Sequence, residues 1–118
     1  VPSVKYRSLA GKEQGEPSAA IKKRVDEARL RQKKRFGDSG IAVNARMSEK
    51  QIRSCCEIDE ASHQLMEMAI EKLGLSARAM NRILKVSRTI ADLEGKEKIE
   101  SAHVAEAIQY RSLDRSIV

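Results

Sequence analysis

Residues 73–95 read LGLSARAMNRILKVSRTIADLEG, and this stretch predicts the longest clear helix of the chain. Ser76 is a favourable N-cap, the helix is expected to end near Leu93, and Gly95 follows as a terminator. On a helical wheel of about 100 degrees per residue, the apolar and small side chains fall on one side. They are Met80, Ile83, Leu84, Ser87, Ile90 and Ala91. That side is expected to face a core.

The opposite side of this helix is basic. Arg82 and Lys85 fall within about 40 degrees of Arg78 on the wheel, and Arg88 falls at about minus 80 degrees. No acidic residue occurs between positions 76 and 91, so these bases have no carboxylate in that stretch to pair with. The face is either an ordinary solvated surface or a site for anionic oxygen. Arg78 is the sharpest candidate, because the first turn of a helix already favours anions.

Other helices are predicted on both sides of this one. Their signals are an N-cap at Ser18 with a helix to about Arg35, a capping box from Ser48 to Gln51, a helix between Asp59 and Gly74, and an N-cap at Ser101 after the apolar Ile99. Residues 41–47 are predicted to be irregular. Five helices with short connections predict an all-α fold, a small helical bundle.

The composition supports one small helical domain. The chain has 118 residues, and only 3% are aromatic, which argues against a sandwich, a barrel or an aromatic platform for stacking bases. Residues 1–17 contain Gly11, Gly15 and Pro17 without apolar periodicity, and are predicted to be an extended segment and linker. Residues 18–118 are then the helical domain. The chain begins at Val1 rather than Met, so we expect a fragment of a longer protein.

The net charge of +6 is concentrated in one predicted helix. Residues 18–35 contain eight bases and two acids, which alone give +6, while the other residues carry 15 bases and 15 acids. The bases lie on every side of a narrow stripe formed by Ile21, Val25, Ala28 and Gln32. The helix is either highly solvated or in direct contact with nucleic acid or another subunit. The candidate contact residues are Lys22, Lys23, Arg29, Lys33 and Lys34.

The sequence lacks the motifs for nucleotide hydrolysis and metal binding. It has no phosphate-cradling glycine loop and no acidic cluster for Mg²⁺, so the chain alone is not expected to hydrolyse a nucleotide or to contain catalytic residues. His63 and His103 lack metal-ligand spacing, so we expect no metal site. The adjacent Cys55 and Cys56 are poorly placed to bridge each other and favour a reducing compartment. Without a long apolar run, a soluble cytoplasmic protein that does not enter membranes is expected.

The sequence as a whole resembles the C-terminal domain of magnesium-chelatase-like AAA+ ATPases of the bacterial ComM/YifB family. The resemblance is carried by residues 73–86 and 88–93, and further matches lie at residues 18–21, 24–25, 28–29, 32, 35–36, 44–45 and 109–115. Met80 stands where an aromatic residue is common in the family, Ser87 where alanine is common, and Cys55 precedes the more usual Cys56. These departures leave the basic face unchanged.

The resemblance implies a lid domain that packs over a nucleotide held by an AAA+ core. In that family type an arginine at the start of one lid helix, called sensor 2, reaches toward the γ-phosphate. Arg78 matches that position, and Arg82, one turn further along, is the second choice. The implied ligand is ATP with Mg²⁺ in the full-length parent, with none bound by the fragment alone. The implied partners are the protein's own core and the neighbouring subunits of a homo-hexamer.

Three functional hypotheses follow. The leading one is a lid domain of an AAA+ ATPase whose parent is an ATP-driven DNA-remodelling motor that acts in branch migration. The second is a stand-alone helical module that binds DNA through the basic helix. The third is a protein-interaction adaptor. Salt-sensitive binding of duplex DNA by the chain would show that the lid hypothesis alone is incomplete, whereas the adaptor predicts tight binding to a partner without salt-sensitive affinity for DNA.

Overall fold

The computed structural model describes residues 17–117, with side chains described as far as Arg111. The predicted all-α bundle is confirmed. Its helices are α1 (Ser18–Phe36), α2 (Glu49–Cys55), α3 (Glu60–Leu73), α4 (Ala77–Leu93) and α5 (Ser101–Ile117), and a short 3₁₀ turn (Asn44–Arg46) precedes α2. The linker predicted for residues 1–17 lies, except for Pro17, outside the described residues.

Local capping chemistry sets most of the helix ends. The Ser48 side chain accepts a hydrogen bond from the Gln51 backbone, and the Gln51 side chain accepts one from the Ser48 backbone, so the predicted capping box is present. The side chains of Asp59 and Ser76 cap α3 and α4 as predicted. Gly74 ends α3 in the left-handed conformation, with φ 62°, which a residue with a Cβ rarely adopts. These four signals are confirmed.

Two helix starts differ from prediction by one residue. Helix α1 begins at Ser18 itself, with Pro17 in the N-cap position. Helix α5 begins at Ser101, and the preceding Glu100 donates its backbone N–H to Nδ1 of His103 at 2.9 Å. The imidazole of His103 therefore caps the N-terminus of this helix. A histidine at that position is not one of the usual capping signals, whereas a serine is, so the sequence favours Ser101 as the N-cap.

Helix α4 is the central element of the bundle. It packs against α1, α2, α5 and the 3₁₀ turn, while α3 packs against α5. The core includes the predicted inward side of α4, and Ile99 and Val104 extend it under the start of α5. Its buried apolar members are Phe36, Met47, Ile52, Cys56, Met66, Ala69, Leu75, Ala79, Ile83, Ile90, Ala91, Ile99, Val104 and Ala107.

Within the described residues, helix α1 joins this core through its second half. Ala28, Gln32 and Phe36 are buried, whereas Ile21 is 44% exposed and Leu30 is 65% exposed. The stripe predicted from Ile21 to Gln32 is therefore confirmed as buried at Ala28 and Gln32 and wrong at Ile21.

Candidate functional site

A basic cleft lies along the outer side of α4. Arg78, Arg82 and Lys85 line it together with Asn81, and Met47, Glu49 and Ile52 form the facing wall; its volume is about 490 Å³. Three cations thus share the cleft with one carboxylate. The helical repeat predicts these three bases on one face, and the structure brings them to one concave surface.

Arg78 is the second residue of α4, so its guanidinium extends from the positive end of the helix dipole. The Ser76 hydroxyl accepts the backbone N–H of Ala79 at 3.1 Å, which fixes this first turn. The Arg78 side chain is exposed. Among residues 17–111 no carboxylate pairs with it and no acceptor receives its hydrogen bonds. Its guanidinium can therefore bind an anion without first breaking a contact within the described fold.

The other two cations of the cleft differ in their contacts. Arg82 is exposed and also borders a neighbouring groove with Val86 and Tyr110. Lys85 donates from Nζ to the carbonyl oxygen of Ala45 at 3.0 Å, which ties α4 to the 3₁₀ turn. Arg82 is therefore the second cation available to an incoming anion, whereas Lys85 also holds the wall of the cleft.

Arg88 does not belong to the basic face, which corrects the sequence-based assignment. It is only 4% exposed and forms an ion pair with Asp92, from Nη2 to Oδ1, at 3.2 Å. It also donates to the carbonyl oxygens of Glu97 and Lys96. Its partner Asp92 is the residue directly after the acid-free stretch 76–91. Burial lowers the pKa of Arg88, and the nearby Asp92 carboxylate opposes that effect.

Asp92 is the centre of a buried polar cluster that joins α1, the 3₁₀ turn and α4. It is 0% exposed, and Arg35 binds it with both terminal nitrogens, Nη2 to Oδ1 at 2.6 Å and Nη1 to Oδ2 at 2.9 Å. Asn44 donates from Nδ2 to Oδ2 at 2.9 Å and accepts from Arg35 at Oδ1. Its backbone N–H donates to the buried Gln32 side chain at 2.9 Å. The hydrogen bond to Asp92 raises the pKa of Arg35.

This cluster was not found from the sequence. Asn44 lies in a stretch predicted to be irregular, and Gln32 belongs to the narrow stripe predicted along α1. A polar residue at a core position of a helix is the signal that was available, because a buried amide requires hydrogen-bond partners. The position of those partners depends on the packing of α1 against α4.

The cations predicted to contact nucleic acid or a subunit are all exposed on α1. They are Lys22, Lys23, Arg29, Lys33 and Lys34. The structure does not bring these five to one surface with the Arg78 cleft. Two other bases of the helix, Arg31 and Arg35, turn toward α4 and contact Asp92.

Within residues 17–111, no three His, Cys, Asp or Glu side chains lie together in a way that suits a metal ion. No helix in the described region combines the length and apolar character that crossing a bilayer requires. His63 is exposed, and His103 is buried with Nε2 3.0 Å from Oε1 of Glu94.

Cys56 and His63 line one cleft of about 440 Å³ between α2 and α4. Both lie in the described region, and no hydrogen bond joins them there. Cys56 is buried, and burial raises the pKa of its thiol to about 11, with the neighbouring Cys55 adding to the shift. A thiol in that state is a poor nucleophile at neutral pH.

We expect Cys55 to react with iodoacetamide well before Cys56 at pH 8, because Cys55 is partly exposed and Cys56 is buried and protonated. Mass spectrometry of the alkylated chain, with Cys55→Ser and Cys56→Ser as single-thiol controls, measures both rates. Equal rates would contradict this assignment.

Since the folded pKa of Cys56 exceeds its ordinary value of 9.0, its contribution to stability is complete below pH 9 and is lost as the pH rises through about 11.

The five helices of the described region place the chain in the class of small all-α domains. Within that class, it belongs to the family described as magnesium chelatase, subunit ChlI C-terminal, which matches residues 15–111. It is 43% identical to competence protein ComM of Haemophilus influenzae over 98% of this chain and 22% of that protein.

Two further relatives show how far the similarity extends. The chain is 40% identical to the uncharacterized protein YifB of Escherichia coli over 88% of this chain and 20% of that protein. It is 29% identical to an uncharacterized protein of Mycobacterium bovis over 82% of this chain and 19% of that protein. The chain thus spans about a fifth of the length of the curated relatives it matches. No solved structure gives a significant match.

Proposed function

We propose that this chain is the lid domain of an AAA+ ATPase and that Arg78 acts as its sensor-2-type arginine. The observation that carries the proposal is an exposed guanidinium in the first turn of α4, in a cleft with Arg82 and Lys85 and with no partner among residues 17–111. The position of Arg78 in the family resemblance supports the same role. The chain supplies this contact and surfaces for neighbouring subunits, while the remaining ATPase machinery lies in the longer protein.

The residues of the cleft fit the phosphate groups of a nucleotide. A guanidinium can bind two phosphate oxygens at once, and Arg78 and Arg82 both present one to the cleft. Glu49 is the single acid in the lining, so the cleft remains net positive. The cations of the cleft donate hydrogen bonds and therefore suit phosphate oxygens rather than a metal ion. The protein ligands of the Mg²⁺ that accompanies ATP are proposed to lie elsewhere in the longer protein.

The proposed role couples the position of the lid to the state of the nucleotide. ATP presents a γ-phosphate that ADP lacks, and a domain that binds this group more tightly in one position shifts toward that position. Helix α4 extends from Arg78 at its first turn to Asp92 near its end, where the buried cluster attaches α1. A displacement of Arg78 on binding the γ-phosphate is therefore expected to move α4 and α1 together.

The activity of the longer protein is also proposed. The name of the Haemophilus relative refers to competence, and the basic character of α1 suits a parent that remodels DNA, as in branch migration. We propose a homo-hexamer in which this domain contacts its own core and a neighbouring subunit.

Cys55 and Cys56 are free thiols, which suits the reducing cytoplasm.

The test is the steady-state ATPase rate of the longer protein with single substitutions in the cleft. Arg82→Ala is expected to lower turnover by about twofold to tenfold, because Arg82 is the secondary contact and an ordinary hydrogen bond contributes about 0.5 to 1.5 kcal/mol. Arg53→Ala, which removes an exposed arginine from α2 outside this cleft, is the matched control. A decrease no larger than that of the control would remove Arg82 from the site.

A further inference from the structure

A second basic cleft lies at the far end of α4. Its lining is Arg31, Lys34, Arg35, Gly95, Lys96 and Glu97, and its volume is about 350 Å³. Lys96 lies in the turn after α4. The fold places it next to three bases of α1, Arg31, Lys34 and Arg35, which precede it by more than 60 positions. Since α4 has 17 residues, this cleft and Arg78 are separated by about 25 Å along the helix.

The charges around this cleft do not balance. Asp92 is the partner of both Arg35 and Arg88, so one carboxylate faces two guanidinium groups at the base of the cleft. Arg88 is covered, but the Arg35 side chain is 18% exposed and reaches the cleft. Arg31, Lys34 and Lys96 add three more positive charges, and Glu97 is the only acid in the lining. An anion in the cleft would neutralise part of this excess.

One of these cations is held in place by the backbone. Arg31 donates from Nη1 to the carbonyl oxygen of Asp92 at 3.1 Å. Gly95 has φ 73°, and a Cβ at that position would lie 3.2 Å from Nη2 of Arg31. Glycine therefore allows the guanidinium to rest against the turn. Arg31 and Arg35 form an ordered base for the cleft, and the exposed Lys34 and Lys96 border it.

The lining also indicates which anion fits. It contains no apolar side chain, whereas interfaces between proteins usually depend on buried apolar or aromatic anchors. The stretch from Ala28 to Gly37 contains five bases and no acid, so positive charge continues along α1 beside the cleft. A polyanion with charges repeated along its length and no need for an apolar pocket matches this surface. The backbone of nucleic acid has that property.

We propose that the cleft of Arg31, Lys34, Arg35 and Lys96 binds a backbone phosphate of a nucleic acid. The proposal is independent of the nucleotide role of Arg78, because the two clefts lie at opposite ends of α4. It also differs from the sequence-based expectation for α1, since Lys34 is the only one of those five candidates that lines this cleft. Binding is expected to be independent of base sequence.

The experiment measures binding of the 118-residue chain to a fluorescein-labelled duplex of about 20 base pairs by fluorescence anisotropy, over a series of salt concentrations. The double substitution Lys34→Ala with Lys96→Ala is expected to lower affinity about tenfold at low salt. It should also reduce the slope of log K against log salt by about 1 to 2, since each lost phosphate contact removes about 1. Both lysines are exposed, and circular dichroism checks that the variant remains folded.

The matched control is Lys22→Ala with Lys23→Ala, which removes the same charge from the other end of α1. It is expected to reduce affinity less than threefold, and Arg53→Ala, at an exposed position on α2 outside both basic clefts, is expected to leave affinity unchanged. An equal loss in the Lys22 and Lys23 pair would overturn the proposal in favour of diffuse attraction along α1. No saturable binding by the unmodified chain would overturn it as well. Tighter binding of polyglutamate than of the duplex, lost in the Lys34 and Lys96 variant, would assign the cleft to an acidic protein instead.

Discussion

Asp92→Ala is expected to destabilise the domain by about 3 to 5 kcal/mol, the usual cost of removing one partner from a buried ion pair. The substitution leaves Arg88 buried without its carboxylate and deprives Arg35 of both hydrogen bonds to Asp92. It also removes one of the two acceptors of the Asn44 amide, the other being the Thr89 hydroxyl. In a domain of this size the loss corresponds to a fall in Tm of about 12 °C or more. Urea unfolding followed by circular dichroism measures it.

Asp38→Ala provides the control, because it removes an exposed aspartate from the loop after α1. Its effect should remain within about 0.5 kcal/mol, as is usual for surface substitutions. Asp92→Asn keeps the shape of the side chain and loses its charge, so it should fall between the two. A loss below about 1 kcal/mol for Asp92→Ala would show that the cluster does not hold α1 against α4.

Arg78→Ala is expected to lower ATP turnover of the longer protein by about tenfold to a hundredfold. A charge-assisted hydrogen bond contributes about 1.5 to 3 kcal/mol, and each 1.4 kcal/mol corresponds to a factor of ten. The Arg78 side chain is exposed and has no partner within residues 17–111, so the stability of this domain should be unchanged. Steady-state phosphate release measures turnover, and thermal unfolding of the 118-residue chain measures stability.

Arg78→Lys separates charge from geometry. Lysine keeps the positive charge but cannot bind two phosphate oxygens in the same plane, so it should restore only part of the rate. Arg53→Ala on α2 removes a comparable exposed arginine and should leave turnover unchanged. A rate for Arg78→Ala that matches that of Arg53→Ala would exclude Arg78 from the ATP site.

The helices and the Arg78 face were predictable because their signals are local. Ser48, Asp59, Gly74 and Ser76 act on backbone groups within a few residues of themselves, so the sequence alone identifies their roles. The basic face of α4 follows from the helical repeat. The exposure of Arg78 and the cleft that it borders agree with that prediction. Its contact with a nucleotide remains a prediction.

The buried cluster could not be predicted, because it depends on contacts between distant parts of the chain. Arg35 meets Asp92 across 57 positions and Asn44 meets it across 48. The pairing of Arg88 with Asp92 is local, at i and i+4, but its burial depends on the turn that follows α4. The same turn brings Lys96 to α1. Helical periodicity places a side chain on a face of its own helix and does not specify what covers that face.

The most direct test of the account compares ATP and ADP binding by the longer protein with and without Arg78→Ala. A contact with the γ-phosphate predicts that the substitution weakens ATP binding about tenfold and changes ADP binding by less than about twofold, because ADP lacks that group. Isothermal titration calorimetry measures both affinities. Equal weakening of ATP and ADP, or no change in either, would contradict the proposal that this domain senses the γ-phosphate through Arg78.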